Sequence, residues 1–249
     1  MRQISQLRET TEAEVLGLLQ EAAVLRLAAA AFAYPDAERR ASVRRGFDEL
    51  EKAQSGRLSA VPWAAAFAAA RTCWSAARSE LESEYVRLFF GAAPCPLHES
   101  AYGDGRRLGG RVVELADIAG FYRAFGFSLS AVRRDLPDHL CAELEFAAAL
   151  LLKEAYAIAE GLGERREITH AAATEFFDTH LGRWPAALRD ALAETAAPEA
   201  YLALADFVVA LVASHCERLG VAPVLAEGRI DAREEDCLSC PMAAPDSIH

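Results

Sequence analysis

Glu84-Tyr85-Val86-Arg87-Leu88-Phe89-Phe90-Gly91-Ala92-Ala93-Pro94-Cys95-Pro96-Leu97-His98-Glu99-Ser100 changes character halfway. Its first half continues a helical stripe that starts at Pro62: Trp63, Phe67, Ala70, Trp74, Ala77, Leu81, Tyr85 and Leu88 recur at steps of three and four, which predicts one helix to Gly91. Two prolines then end the period. From Gly91 to Gly110 the chain carries five glycines and two prolines without helical spacing, and the aromatic and charged residues there predict an ordered functional loop.

The same periodicity fills the rest of the chain. Val15, Leu18, Leu19, Ala22, Leu25 and Ala29 predict a helix over Thr11–Tyr34, stopped by Pro35, and Val43, Phe47 and Leu50 predict a second over Ala37–Gln54, the two forming an antiparallel hairpin. A fourth runs from about Gly110 to Phe125. Pro137 is expected to open a fifth reaching Gly161, with Asp138 and His139 in its first turn and His139, Glu143 and Phe146 on a face beside the buried stripe of Leu140, Leu144, Ala147 and Leu151. Further helices are marked by Glu175–Leu181, by Trp184-Pro185, and by Tyr201, Leu204, Val208, Leu211 and His215 before Gly220. No run of β-branched residues alternates with polar ones over strand length, so the expected fold is all-α, a single-domain bundle of about eight or more helices over residues 1–220. Residues 221–249 are polar and acidic and predict a mobile tail.

Composition narrows the function. With 249 residues, 53% of them hydrophobic, the chain can bury a large core without staples. A net charge of −11 argues against nucleic acid, whose phosphates demand a basic surface, and suits a basic partner. The apolar runs with no charge fall short of the ~20 residues of a membrane span. The start of the chain lacks the apolar core of a secretory leader, so a cytoplasmic protein without stable membrane insertion is expected. Cys73, Cys95, Cys141 and Cys216 read as thiols of a reducing compartment. Cys237 and Cys240 form a lone CxxC in the tail, read either as an incidental pair or as a redox, metal or iron-sulfur contact completed by a partner.

Four segments in order carry a resemblance: Glu84–Phe89, Pro94–Ser100, Leu136-Pro137-Asp138-His139-Leu140 with Glu143-Leu144-Glu145-Phe146, and Phe177–Trp184. Over residues 12 to 220 the chain resembles the TorD/DmsD/NarJ family of molybdoenzyme maturation chaperones. The resemblance implies an all-helical chaperone that binds the twin-arginine leader or the apo catalytic subunit of a molybdopterin-dependent oxidoreductase, holding it back from export until its cofactor is inserted. It implies no catalytic residue and no cofactor of the chaperone's own. The peptide-binding positions it implies are Tyr85, Leu88, Phe89, His98, Glu99, Ser100, Asp138, His139 and Glu143. His98 stands where an aromatic such as Trp or Tyr is common, and its imidazole still offers a flat face and a donor.

Physical chemistry supports such a partner independently. A leader with a basic start and an apolar middle needs a trough of aromatic and leucine side chains beside acids. Tyr85, Leu88 and Phe89 are expected to line it, with Asp138, Glu143 and Glu99 receiving guanidinium groups through charge-assisted bonds of ~1.5 to 3 kcal/mol each.

Plainer readings stand beside this one: Leu88 and Phe89 as core, Asp138 as a favourable charge at a helix start, His139 and Glu143 as a solvated pair, Cys95 as a small apolar filler, His215 as a satisfied core histidine. Two rival functions are a helical scaffold docking a folded redox partner and a metal-dependent hydrolase using His98, Asp138, His139 and Glu143. The second lacks an HExxH, a P-loop or a nucleophile elbow. The client, any guanine nucleotide, and the choice between monomer and domain-swapped dimer are left open by the sequence.

Overall fold

A computed structural model describes residues 2–53, 61–77, 80–103, 110–129 and 136–229. The described residues form helices and loops with no strand, as the periodicity predicts. The helices are α1 (Arg2–Ala31), α2 (Ala37–Ala53), α3 (Ala64–Ala76), α4 (Leu81–Phe89), α5 (Gly110–Ala124), α6 (Leu140–Ala159), α7 (Gly163–Phe176), α8 (Pro185–Glu194) and α9 (Glu199–Leu219). A short 3₁₀ turn covers Glu99–Ala101 and a single π turn, Phe177–Leu181, extends α7.

Helices α1 and α6 share the largest interface, α3 lies on α9, and α7 and α8 pack on α6 and α9 respectively. The α1–α2 hairpin forms as expected. Aromatic rings fasten these layers at their crossings. Phe47, Phe67 and Phe207 join α2, α3 and α9 with centroids 5.2 to 6.3 Å apart. Phe121, Phe146 and Phe176 do the same for α5, α6 and α7 at 4.8 to 6.4 Å. Such tilted and edge contacts add ~0.5 to 1.5 kcal/mol per pair beyond burial. Helix α9 is long and apolar enough to cross a bilayer, but it is a core helix: Tyr201, Leu204, Phe207, Val208 and Leu211 are all buried.

The single helix expected from Pro62 to Gly91 is two helices. Helix α3 stops at Ala76, Ala77 turns to extended backbone (φ −65°, ψ 137°), and α4 starts at Leu81. Each half has its own anchor. The Trp74 indole donates to the Arg40 carbonyl at 3.3 Å, whereas Tyr201 donates its hydroxyl to the Leu81 carbonyl at 3.0 Å. Both halves bury their stripe in one core, so the three-and-four spacing crosses the break undisturbed. Helix α1 also differs, starting well before Thr11 and ending at Ala31, ahead of Tyr34.

Gly220 ends α9 in the left-handed region (φ 71°), the conformation that favours glycine there. Beyond it, residues 221–229 are bound to the body although the expected tail begins at 221. Ala226 N donates to the Arg183 carbonyl at 2.9 Å, Arg183 Nε to the Val224 carbonyl at 3.1 Å, and Gly103 N to the Gly228 carbonyl at 2.8 Å. Pro223 sits so close to Gly182 that a Cβ on Gly182 would meet it at 2.5 Å. The rest of the expected tail, with Cys237 and Cys240, lies outside the described residues.

Candidate functional site: the proline loop and the start of α6

The loop leaving α4 is extended, and its residues alternate. Ala93, Cys95, Leu97 and Glu99 are buried, while Pro94, Pro96, His98 and Ser100 are half-exposed, which is the period of two that extended backbone imposes. The prolines fall on the outward positions. The inward ones tie the loop down: Cys95 N donates to the Leu88 carbonyl at 3.0 Å, Leu140 N to the Leu97 carbonyl at 2.9 Å, and Glu99 N to the Asp138 carbonyl at 2.9 Å. The exit of α4 and the start of α6 are therefore joined through this loop.

Helix α6 starts at Leu140 and not at Pro137, so Asp138 precedes the first turn in which it was expected. The cap is His139, whose Nδ1 accepts from Cys141 N at 3.2 Å. Asp138 turns back instead to the loop. Its Oδ1 accepts from His98 Nδ1 at 3.1 Å, and its Oδ2 accepts from Ser100 Oγ at 2.5 Å and Ser100 N at 3.3 Å. Burial by itself would push this carboxyl up, yet the bonds from His98 and Ser100 outweigh it and hold the group below the usual aspartate value. His98 and His139 meet edge to face at 5.1 Å.

Behind this clamp lies a polar seam. Glu99 is buried, and its Oε2 accepts from His180 Nδ1 at 3.0 Å while Arg183 Nη1 stands 3.7 Å from Oε1. His180 Nε2 lies 3.3 Å from Asp117 Oδ2 without hydrogen-bond geometry. Burial disfavours the imidazolium, but Glu99 and Asp117 raise the His180 pKa above its ordinary value. Glu143 is wholly buried, so the solvated His139–Glu143 pair does not form. Its Oε2 accepts from Trp184 Nε1 at 3.0 Å, and burial followed by repulsion from Glu99 raises its pKa far above the usual range.

The structure thus gathers His98, Glu99, Ser100, Asp138, His139 and Glu143 in one place. Tyr85, Leu88 and Phe89 form an apolar cluster of their own on α4, linked to the loop through the Cys95–Leu88 backbone bond. Leu88 is fully buried, and the half-buried Tyr85 and Phe89 pack on each other at 5.0 Å, with Phe89 on Tyr201 at 5.1 Å. Tyr85 donates its hydroxyl to the Phe32 carbonyl at 3.2 Å. The three acids expected to receive guanidinium groups, Glu99, Asp138 and Glu143, all point inward and are engaged with protein partners.

Sequence reasoning missed His180, Arg183 and Trp184 as partners of these acids. The Phe177–Trp184 motif was the available signal. It also missed the outer face of α4, where Val86 and Phe90 are exposed one turn apart, Phe90 at 74%. Cys95 and His215 match their plain readings, a buried thiol and a buried neutral histidine whose pKa is pushed down to about 3 by burial and by Arg218.

In this helical body the buried acids Glu99, Asp138 and Glu143 are spent on internal partners, and two of them clamp a surface loop. The family of the nitrate reductase delta subunit matches residues 57–190, and this chain belongs to that family. It is 38% identical to the selenate reductase assembly chaperone protein of Thauera selenatis and 35% identical to the chlorate reductase assembly chaperone protein of Ideonella dechloratans. Each alignment covers 59% of this chain, and 75% and 74% of the respective relative. It is 28% identical to the perchlorate reductase assembly chaperone protein of Dechloromonas aromatica (strain RCB), over 81% of this chain and 90% of that one. The resemblance read from the four motifs is borne out, and so is the non-enzymatic reading, since these relatives are named as chaperones of enzymes.

Proposed function

We propose that this protein is a cytoplasmic assembly chaperone for the catalytic subunit of a molybdopterin-dependent oxidoreductase, and that it binds that subunit through its twin-arginine leader. The observation that carries the reading is the family match together with three relatives that assist reductases. The clamp gives it a physical basis. Asp138, Ser100, Glu99 and His139 tie the proline loop to the start of α6, so Pro94, Pro96 and His98 form a preset outward row, which lowers the ordering cost of binding an extended peptide. Tyr85, Leu88 and Phe89 fix α4 from within, and Val86 and Phe90 offer its apolar outer face. The net charge of −11 favours approach of a basic leader.

The test is calorimetric titration of the full chain with a synthetic twin-arginine leader and with the same peptide carrying lysines for both arginines. Saturable binding that weakens in His98→Ala and Phe90→Ser supports the reading. A protein that ignores both peptides yet captures the folded catalytic subunit is a scaffold, and overturns the leader-binding part.

A further inference from the structure

The segment that follows α9 runs onto the proline loop. It first crosses the π turn, where Arg183 accepts from Ala226 N and donates to the Val224 carbonyl. It then pairs with the residues after the 3₁₀ turn: Gly103 N donates to the Gly228 carbonyl at 2.8 Å, and Tyr102 faces Arg229 in an antiparallel bridge. Gly103 (φ 128°) and Gly228 (φ 140°) both stand in a backbone conformation that glycine alone adopts readily, so this pairing is specified by the sequence.

The last contact falls on the loop itself, where Arg229 Nη1 donates to the Pro94 carbonyl at 3.2 Å. Pro94 and Pro96 have no N–H, so the backbone of this outward row can accept hydrogen bonds but not donate them, and the Pro96 carbonyl is taken by the Tyr102 hydroxyl at 2.8 Å. A guanidinium, which donates and never accepts, complements such a row. Here the chain supplies one from its own segment.

That segment is weakly held. None of residues 221–229 is buried, and Val224 and Leu225 are 78% and 59% exposed. Val221 and Ala226 pack partly on the core, and the rest of the grip is Ala226 N, the carbonyls of Val224 and Gly228, and the Arg229 side chain. A hydrogen bond exchanged with water gains no more than the entropy of fixing one residue or so, and these few bonds must order nine residues. Closed and released forms therefore lie near one another in free energy.

We propose that residues 221–229 are a displaceable strap, which fills with Arg229 the place on the proline loop that an extended, arginine-bearing segment of a partner polypeptide takes when it binds. The identity of the site rests on the leader reading, and the strap adds its regulation. Because it is tethered, the strap competes at high effective concentration, and a partner's apparent affinity is reduced by the fraction of chains in which the strap is released. A peptide that offers one arginine and little else is turned away, whereas one that also covers Val86 and Phe90 displaces the strap.

The test compares the full-length parent with Ala226→Pro, which removes the N–H given to Arg183, and with Arg229→Gln. With the twin-arginine leader as probe, both variants should bind about two- to tenfold more tightly than the parent by calorimetry, and the Ala226 N–H of the parent should lose protection from hydrogen exchange as the leader saturates. Equal or weaker binding in both variants, or an Ala226 N–H that the leader protects further, would overturn the strap. A second probe does not depend on the leader: a free, end-blocked peptide with the sequence of residues 221–229. It should shift the amides of Tyr102 and Gly103 in ¹⁵N-labelled Ala226→Pro, saturably and about two- to tenfold more tightly than in the parent, and its version with glutamine for arginine should not. A leader ignored by all three proteins while this peptide behaves as expected refutes the leader reading and supports the strap. A peptide that binds parent and variant alike, or neither, refutes the strap whatever the leader does.

Discussion

Ser100 gives Asp138 both its hydroxyl and its backbone N–H, at 2.5 and 3.3 Å on the same carboxylate oxygen, so one buried side chain fixes a loop 38 residues away in sequence. Removing that charge should therefore act on the loop before it acts on the helices. Asp138→Ala is expected to cost ~1.5 to 3 kcal/mol per charged bond lost, read as a fall in Tm, with faster amide exchange at residues 97–100. A thermal melt unchanged from the parent would refute the clamp.

The same contact sets an acid limit. The Asp138 pKa is lower in the folded than in the unfolded chain, so its contribution is fully present above the unfolded value near 3.8 and is lost as pH falls through the folded value. Stability measured against denaturant should drop below pH 4 more steeply in the parent than in Asp138→Asn. Parallel curves would show that Asp138 is not the group responsible.

Glu143 works in the opposite sense. Its folded pKa is raised, so the native state keeps a proton that the unfolded chain releases above about 4.5, and stability declines as pH rises from there toward the folded value. Glu143→Gln retains an oxygen to accept from Trp184 Nε1 and removes the titration. At pH 7 it should match or exceed the parent in stability, because the variant has no proton to take up on folding. A large destabilisation at pH 7 would mean that Glu143 is held ionised.

Much of this architecture was legible from spacing alone. The stripes of α2 and α9 point to the core because a helix that buries one face must repeat every three or four residues, whereas in α5 only Ile118 and Tyr122 of the inward set are buried and Val113, expected inward, is 56% exposed. The break between α3 and α4 was not, since both halves bury the same stripe and the interruption depends on where Arg40 and Tyr201 anchor them. The motif residues His98, Ser100 and Asp138 do meet, but proximity along the chain cannot reveal that their hydrogen bonds are spent on one another. The outward row of Pro94, Pro96 and His98 was present as an alternation of two, hidden by the prolines that suggested only a loop.

His180 predicts an alkaline effect. Its pKa is raised by Glu99 and Asp117 over the opposing effect of burial, so the charged pair contributes fully below the unfolded value near 6.5 and fades as pH rises through the folded value. Unfolding free energy should fall on the basic side of pH 6.5, and His180→Gln should flatten that slope while lowering stability at pH 6. If the variant and parent share one profile between pH 6 and 9, the Glu99–His180 pair is not an ion pair.

Two glycines should respond oppositely to alanine. A Cβ on Gly182 would lie 2.2 Å from the Phe177 carbonyl oxygen, 2.5 Å from Pro223 and 3.0 Å from Cys216 Sγ, and a backbone oxygen cannot step aside as a flexible side chain can. Gly182→Ala should destabilise by ~1 to 3 kcal/mol or more and loosen residues 221–229, seen as new proteolytic cleavage there. Gly17→Ala meets open space in the interior of α1, so it should stabilise by roughly 0.5–1 kcal/mol through lower chain entropy and better helix propensity. Equal Tm shifts in the two variants would contradict the packing of the segment that follows α9 against the π turn.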